Sequence, residues 1–427
     1  MITEREYKKR RELLAKKFSN NSIGVIFSSQ HVTRSHDTHH PFRQDSNFYY
    51  LSGFKEDNAA LVFLKSKEEI KTVLFVQKKD KTLELWTGER LGTKEAKKRF
   101  LVDEIYLSDD FDKKFKEFLK DKKNIYYEFE SKKSAAKKVL KMAKNFKIKH
   151  DIVPLVQKMR LIKSAAEIEL IKESIEITAK AHHRAMKIDK KGKYEYQLQA
   201  EIEHEFKVNA AYSDAYTSIV ACANNANTLH YIKNDKPLVK GELILIDAGC
   251  EHNYYASDIT RTIPVNGKYS EPQKELYNLV LNTQLSIIGM IKPFVKRSHL
   301  QKSAEKLLTK GMIELGILKG DCKKLIKEQK HKKYYPHGIG HWMGIDVHDP
   351  APYKDAKQRE IALQKGMVLT IEPGLYIDKN DKSVPKKYRG IGIRIEDDIL
   401  ITKDGCENLS RSIAKTVEEI EALSFKF

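Results

Sequence analysis

Acidic residues inside apolar, strand-like stretches mark the C-terminal half of this chain. A buried carboxylate costs free energy, so such stretches normally exclude Asp and Glu. Here the pattern occurs four times, and a histidine in a glycine-rich segment accompanies it. The five residues are Asp247 in LILIDAG, Asp258 in YASDITRT, His341 in HGIGHWMG, Glu372 in LTIEPGLY and Glu396 in GIRIEDD. The sequence therefore predicts a folded centre in which positive charge offsets four acids.

The four carboxylates fall on two predicted strand pairs. The predicted strands are Leu243–Asp247, Tyr254–Ile263, Val368–Ile377 and Ile391–Ile401. A turn near His252 would let the first two run antiparallel, with both Asp side chains on one face. Glu372 is predicted to precede a turn at Pro373-Gly374, and Arg394 and Glu396 alternate along a strand and point to the same side. Each pair would lend two carboxylates to a shared centre.

Four carboxylates and one imidazole form a hard, oxygen-rich ligand set. Such a set favours Mn, Co, Fe or Zn over a thiolate-type site. One ion does not need four carboxylates, whereas two ions do, with Asp258 and Glu396 bridging them. Two cations about 3.5 Å apart share a hydroxide and polarise a carbonyl or phosphoryl oxygen. Each acid taken alone is better explained as a salt-bridged strand end, but the joint pattern predicts a two-metal hydrolase.

Three further histidines lie in the same half, at His230, His337 and His348. His337 and His341 are four residues apart, which would place them on one face of a helix, but the glycines between them favour a loop or a strand. HGIGH is not the H-E-x-x-H motif of single-zinc proteases. Since a carbonyl under attack needs donors to its oxygen, His337 and His348 suit that role. His230 would meet the other side of the substrate.

The N-terminal part alternates short apolar strands with helical stretches, which predicts an α/β domain over 1–155, followed by a second domain over 156–427. Lys and Arg number 79 against 59 Asp and Glu. The lysines are scattered through helical stretches, so we interpret them as a solvated surface and expect no nucleic-acid partner. Four cysteines without a C-x-x-C pair argue against a disulfide framework or thiolate site. We expect a cytoplasmic protein with no membrane partner, because no secretory signal or long apolar stretch occurs.

Longer motifs around these residues resemble the pita-bread metallopeptidases, which include methionine aminopeptidase, prolidase, aminopeptidase P and the metal-free creatinase. Nearly all of 1–427 resembles bacterial aminopeptidase P. The segments that carry the resemblance are VTRSHDTHHPFRQDSNFYYLSGF, LELWTGERLG, LHYIKND, LILIDAGCEHNYYASDITRTIPVNGKYS, HGIGHWMGIDVHD, VLTIEPGLYI and YRGIGIRIEDDILIT. The resemblance implies an α/β (α+β) chain. A creatinase-like α/β domain, serving oligomerisation and substrate access, would precede a pita-bread catalytic domain.

The resemblance also implies roles for single residues. The metal ligands would be Asp247, Asp258, His341, Glu372 and Glu396. Glu372, Arg394 and the three histidines at 230, 337 and 348 would be catalytic, and the histidines would also bind substrate. Trp86 matches an aromatic residue that reaches a neighbouring subunit's site, so a homo-oligomer, dimer or tetramer, is implied.

The implied activity is release of an N-terminal residue that precedes proline. Two divalent ions would serve it, Mn²⁺ first and Zn, Co or Fe as alternatives, through a bridging hydroxide. Glu372 would assist proton transfer and His348 would stabilise the oxyanion. The rivals are prolidase, which cuts only dipeptides, creatinase, and a non-catalytic binding protein on the same fold. The presence of all five ligands argues against the last two.

Overall fold

The computed structural model describes residues 1–67, 69–131 and 133–426. Its contacts divide the chain into two compact units, Ile2–Met159 and, together with Met1, Arg160–Phe427. The division falls four residues after the predicted boundary at 155/156. No helix within the described ranges is both long and apolar enough to cross a bilayer.

The first unit is built on a six-stranded sheet of order β6-β5-β4-β1-β7-β8. Its strands are β1 (Ser22–Phe27), β2 (Thr33–Ser35), β3 (Thr38–His39), β4 (Ala60–Lys65), β5 (Ile70–Val76), β6 (Glu104–Leu107), β7 (Asn124–Tyr127) and β8 (Ile148–Asp151). Its helices are α1 (Glu4–Lys16), α2 (Ser46–Ser52), α3 (Lys81–Thr87), α4 (Gly92–Arg99), α5 (Phe111–Leu119), α6 (Ser134–Met142) and α7 (Val153–Arg160). Strand β1 is buried along its whole length because β4 and β7 pair with it on either side. The predicted α/β character of this part is confirmed.

The second unit combines long helices with several short antiparallel sheets. Its helices are α8 (Ala165–Lys187), α9 (Glu195–Val208), α10 (Glu271–Gly289), α11 (Arg297–Glu314), α12 (Cys322–Lys327) and α13 (Val417–Leu423). Its strands are β9 (Ser213–Asp214), β10 (Ile219–Cys222), β11 (Leu243–Asp247), β12 (Cys250–His252), β13 (Tyr255–Ala256), β14 (Thr260–Pro264), β15 (Val368–Ile371), β16 (Gly374–Tyr376), β17 (Gly392–Arg394), β18 (Asp397–Ile401) and β19 (Cys406–Asn408). Sheets of order β10-β11-β14 and β15-β18-β19 carry the acidic residues or their neighbours.

Capping chemistry in the sequence sets where two of the long helices begin. Ser164 accepts from the amide of Glu167, whose carboxylate reaches back to the amide of Ser164, and α8 starts at the next residue. Ser270 opens α10 with the same reciprocal arrangement. Such boxes satisfy amides that have no partner inside the helix.

The two strands of the first predicted pair do run antiparallel, but the second of them is not continuous. Strand β11 pairs with β14, with Asp247 opposite Thr260, and β12 pairs with β13, so the expected single strand 254–263 is two strands. The chain is pinched between them, where a side chain at Gly249 would come within 1.8 Å of the Ser257 carbonyl oxygen. Asp258 therefore lies two residues before β14, next to the end of that strand that pairs with Asp247.

The second predicted pair is interrupted in a different way. Strand β15 pairs with β18 and β16 pairs with β17, in one continuous antiparallel register. The expected turn at Pro373-Gly374 is wrong: the chain runs on, and Pro373 breaks the ladder because it has no amide hydrogen to donate. Glu372 and Glu396 face each other across this break.

Candidate metal centre

The two aspartates meet at a tyrosine hydroxyl. Asp247 ends β11 and Asp258 precedes β14 by two residues. Tyr216, in the loop between β9 and β10, lies 2.6 Å from Asp247 Oδ1 and 2.7 Å from Asp258 Oδ1. Its single hydroxyl hydrogen can serve one of these oxygens at a time. The contact fixes the two carboxylates side by side.

Threonine hydroxyls orient the two glutamates. Thr260 donates to Glu396 Oε2 at 2.7 Å, and Thr370 lies 3.4 Å from Glu372 Oε1. The amide of Glu396 also donates to the Thr260 carbonyl at 3.1 Å, which joins the second strand pair to β14. The two strand pairs are thereby placed edge to edge, with their carboxylates towards a common centre.

His341 is held with one ring nitrogen directed at the acids. Its Nδ1 donates to the Trp342 carbonyl at 3.1 Å, which leaves Nε2 without a proton when the ring is neutral. Nε2 lies 3.2 Å from Asp258 Oδ2 and 3.8 Å from Glu372 Oε1. A backbone carbonyl on the far nitrogen is the usual support of a metal-ligating histidine. Gly340 permits the approach, because a Cβ there would meet the Thr370 carbonyl oxygen at 1.8 Å.

These side chains form three overlapping groups whose ligand atoms all lie within 4.8 Å of one another. The groups are Asp247, Asp258 and Glu396; His341, Glu372 and Glu396; and Asp258, His341 and His348. All five residues predicted as ligands thus converge, and His348 joins them. Since two groups share Asp258 and two share Glu396, the arrangement suits two adjacent cations.

The acids carry more negative charge than their surroundings stabilise. Burial raises the pKa of Asp247, although the charge of Arg394 opposes the rise. Burial raises the pKa of Glu372 to about 7, and burial with the charge of Asp258 raises the pKa of Glu396 well above its ordinary range. Bound cations would restore the ionised forms of all three.

Asp258 and His341 form the exception within the cluster. Burial acts on both, but the hydrogen bond and charge of His341 hold the pKa of Asp258 below its ordinary value. The same contact raises the pKa of His341 to about 9, against the effect of burial. In this pair, the positive charge of His341 stabilises the ionised form of the nearest acid, Asp258.

A buried cation closes one side of the centre. Arg394 NH2 lies 2.6 Å from Asp247 Oδ2, and Nε lies 3.1 Å from Thr260 Oγ1. NH1 donates to the Tyr376 hydroxyl at 3.0 Å, and that hydroxyl lies 2.8 Å from His337 Nε2. Arg394 thus connects Asp247, a predicted ligand, through Tyr376 to His337, a predicted substrate-binding residue.

His337 differs from the other two predicted histidines. Its Nδ1 lies 2.8 Å from the Gly338 carbonyl, which only accepts, so Nε2 receives the Tyr376 hydroxyl hydrogen in the neutral ring. Burial and the charge of Arg394 lower its pKa to about 4, so the ring is neutral at pH 7. Both ring nitrogens of His337 are therefore occupied within the protein, and its predicted donation to an oxyanion stays a prediction that would require exchange of one partner. In this arrangement His337 offers a ring surface.

His230 and His348 keep their ring nitrogens available. Neither makes a hydrogen bond to any residue within the described ranges, and both line a cavity of about 660 Å³ that contains the five predicted ligands. The His348 ring packs edge-on against His341 with centroids 4.2 Å apart. Apolar residues complete the wall: Ile219, Leu229, Ile232, Val347 and Tyr353. The cavity can hold a small organic substrate against the cluster.

Trp86 is not part of this cluster. It lies on α3 of the first unit, and 81% of its surface is exposed. Conversely, the sequence interpretation missed Tyr216, Thr260, Thr370 and Tyr376. Thr260 could have been found, because it follows Asp258 by two residues, which would place both on one face of the predicted strand 254–263. Tyr216 carries no local signal, since it lies in a loop far from the acids in sequence.

Two sequence families match the chain. Residues 169–403 match metallopeptidase family M24, and residues 7–126 match the N-terminal domain of aminopeptidase P. The Xaa-Pro aminopeptidase of Haemophilus influenzae is 42% identical over 99% of this chain and 97% of its own length. That of Escherichia coli is 40% identical over 99% and 98%.

Solved structures agree with these matches. Zinc-substituted E. coli aminopeptidase P in complex with product has a TM-score of 0.95 at 40% identity, over 99% of this chain and 98% of that chain. Proline aminopeptidase P II from Yersinia pestis has a TM-score of 0.95 at 41% identity, over 99% of each chain. The predicted N-terminal α/β domain and pita-bread domain are confirmed. The chain therefore belongs to metallopeptidase family M24, with the N-terminal domain of aminopeptidase P preceding its peptidase domain.

Proposed function

We propose that this chain is a metal-dependent aminopeptidase that releases the N-terminal residue from peptides with proline in second position. The observation that carries the proposal is the convergence of four carboxylates and His341 on a cavity with two available histidines. Relatives at 40–42% identity over nearly the whole chain are Xaa-Pro aminopeptidases, which supports the same activity.

Two divalent ions fit the residues present. The ligands proposed are Asp247, Asp258, His341, Glu372 and Glu396, with Asp258 and Glu396 shared between the ions. The raised pKa values of three of these acids indicate that the centre needs added positive charge. When bound, the ions supply a nucleophile from water at neutral pH and polarise the scissile carbonyl. We propose Mn²⁺ as the resident ion, with Zn, Co and Fe as alternatives for an oxygen-rich set.

Glu372 is the proton carrier in this proposal. Its carboxylate lines the substrate cavity beside His341, where it would accept a proton from water and release it to the leaving group. It would take the proton of the attacking water and return it to the proline nitrogen as the amide bond breaks. Thr370 keeps its carboxylate in place from the adjoining strand.

The remaining polar groups bind and orient the peptide. His348, with its ring nitrogens available, would donate to the oxygen of the attacked carbonyl, where charge develops. His230, which lines the same cavity, would donate to the carbonyl that follows the proline. The peptide amine would lie beside Asp247, whose second oxygen is held by Arg394.

Proline selectivity is assigned to His337. Its neutral ring is fixed by Tyr376 and Gly338 and offers the substrate no free donor. Such a surface accepts the apolar pyrrolidine ring without leaving a polar group unpaired. The Xaa-Pro amide has no N–H, so it needs no hydrogen-bond acceptor from the protein.

Prolidase remains the second candidate within the family, and one assay separates the two. The purified protein is incubated with Ala-Pro and with Ala-Pro-Ala, each with Mn²⁺ and with excess chelator. We expect metal-dependent release of alanine from the tripeptide, and a loss of at least about 10³-fold in kcat for Glu372→Gln. Cleavage of the dipeptide alone would identify a prolidase, and cleavage that survives chelation would refute the metal assignment.

The localisation and the oligomeric state of the enzyme are also proposals. We propose a cytoplasmic homo-oligomer in which the domain over 1–155 mediates assembly and Trp86 reaches the peptidase domain of a neighbouring subunit. The exposure of Trp86 in the single chain supports this role. Light scattering gives the mass of the assembly, and a Trp86→Ala variant should raise KM more than it lowers kcat.

A further inference from the structure

We propose that a lysine-rich face beside the substrate cavity selects peptides with acidic residues downstream of the proline. The inference rests on the proposed function and names its substrate class. The face is the segment 319–333, which comprises α12 and the turns around it. It holds seven lysines and only two acidic residues.

Most of these lysines are not engaged within the protein. All seven are exposed, and Lys333 alone pairs with an acid among the described residues, at 2.6 Å from Asp381. The other six are Lys319, Lys323, Lys324, Lys327, Lys330 and Lys332. Lys323 and Lys327 stand four apart on α12, where like charges disfavour the helix. Lys324 and Lys327 suit the last turn of α12, but this local benefit does not account for the other lysines of the face.

The face adjoins the catalytic cavity through shared residues. A second cavity of about 480 Å³ shares Leu229 with the substrate cavity and is lined by Lys333 and Tyr334. A third, of about 610 Å³, shares Lys333 and Tyr334 with the second and is lined by Lys330. A path thus leads from Leu229 past Lys333 to the lysines of the face.

Two backbone relationships place this path close to the substrate cavity. Lys333 precedes His337 by four residues, so their Cα atoms lie within about 14 Å. The Tyr334 carbonyl accepts from the Tyr376 amide at 3.0 Å, and the Tyr376 side chain holds His337. The face and the histidine assigned to proline recognition are therefore parts of one packed region.

The proposed binding direction brings the downstream peptide to this path. The peptide amine is placed at Asp247 and the proline at His337. Tyr376, which contacts His337, lines the second cavity together with Leu229, so the residues that follow would leave on that side. An extended chain advances about 3.3 Å per residue, so three residues beyond the proline cover about 10 Å. Positions four to six would then lie close to the lysines.

Two acidic residues lie on the path, but the net charge along it remains positive. Asp378 and Asp381 line the second cavity, but Asp381 is bound by Lys333. The adjoining segment 379–389 adds four lysines and one arginine against one acid. A cleft with this balance concentrates anionic ligands, and screening by salt limits the effect to about 8 Å at physiological ionic strength.

Three matched peptides test the proposal: Ala-Pro-Ala followed by three Glu, three Gln or three Lys, each amidated. At about 20 mM salt we expect kcat/KM to fall in that order, with a Glu-to-Lys ratio of at least about 10 that arises in KM. In about 0.5 M NaCl the ratio should approach 1. Equal rates for the three peptides at low salt would overturn the proposal.

Two triple variants locate the effect. Lys327→Gln/Lys330→Gln/Lys332→Gln removes charge from the face, and Lys113→Gln/Lys116→Gln/Lys120→Gln removes the same charge from exposed positions at α5 of the first unit. We expect the first to lower the Glu-to-Lys ratio about 5-fold with the Gln peptide unchanged, and the second to leave it unaltered. An equal loss in both would assign the preference to overall charge and overturn the proposal.

The same variants separate other causes. If the face variant loses affinity for a single-stranded RNA oligomer but keeps the peptide preference, the face serves a nucleic acid and the proposal is wrong. A wild-type protein that cleaves none of the three peptides would refute the proposed function and the selectivity with it. Cleavage of all three without preference would refute the selectivity alone.

Discussion

Arg394 contacts Asp247 through a buried pair, with NH2 2.6 Å from Oδ2, while its other amino group holds Tyr376. Asp247 therefore loses its nearest protein cation if Arg394 is neutralised. We expect Arg394→Gln to weaken metal binding about tenfold, since losing a group that orients a metal ligand typically costs 10–100-fold in affinity. Calorimetric titration of the metal-free protein with Mn²⁺ measures this.

Tyr376→Phe is the control for this variant, because it breaks the contact with His337 but leaves the pair with Asp247 intact. It should raise KM for proline peptides with little change in metal affinity. Equal metal affinity of Arg394→Gln and the wild type would contradict the role given to the pair.

Tyr216 offers a second test, of a residue that sequence interpretation did not identify. Its hydroxyl contacts both Asp247 and Asp258. Removing a group that orients metal ligands typically costs 10–100-fold in affinity or activity. Tyr216→Phe should therefore lose activity within that range and regain part of it at high Mn²⁺ concentration. Unchanged activity at limiting Mn²⁺ would show that the carboxylates hold their positions without it.

The limits of sequence interpretation follow from which contacts are local. The two predicted strands that carry Asp247 and Asp258 are neighbours in the sequence. The alternation of side chains along a strand is therefore enough to predict that both aspartates lie on one face. The pinch at Gly249 depends on neighbouring backbone, and the strand pattern carries no sign of it. Pro373 does mark an interruption in the sequence, but the structure shows a break in the ladder where a turn was expected. Tyr216 reaches the acids only through tertiary packing. The occupied Nε2 of His337 likewise depends on Tyr376, which is far from it in sequence.

A buried ion cluster beneath the loop of His341 and His348 gives a third prediction. Arg160 lies 2.6 Å from Asp346 and 3.4 Å from Asp349, and Lys163 lies 3.8 Å from Asp349. The Asp349 amide donates to the Trp342 carbonyl, which also receives His341 Nδ1. Asp349→Asn leaves the buried amine of Lys163 without its acidic partner and Arg160 with Asp346 alone, so the free energy of unfolding should fall by about 3 kcal/mol.

Lys163→Met should act in the opposite direction. Burial lowers the pKa of Lys163, and its amine has no hydrogen-bond partner among the described residues. Lys163→Met removes this desolvated cation while Asp349 keeps Arg160 at 3.4 Å, so no buried charge is left unpaired and we expect stability to be unchanged or higher. Urea unfolding of both variants measures the contrast, and a Lys163→Met variant as unstable as Asp349→Asn would show that the amine is needed.

Lys190 predicts how stability depends on pH. Its amine is buried at the end of α8, where it donates to the carbonyls of Met186 and Ile188, and burial lowers its pKa to about 8. The unfolded chain, with a lysine pKa of about 10.4, binds a proton that the folded chain releases between these values. Stability should therefore rise with pH across that window, by about 1 kcal/mol from pH 7.5 to 9.0. Lys190→Met should lack this increment in urea unfolding with chelator present, whereas Lys191→Met, which changes an exposed neighbour, should keep it. An increment of the same size in Lys190→Met would assign the pH dependence to other groups.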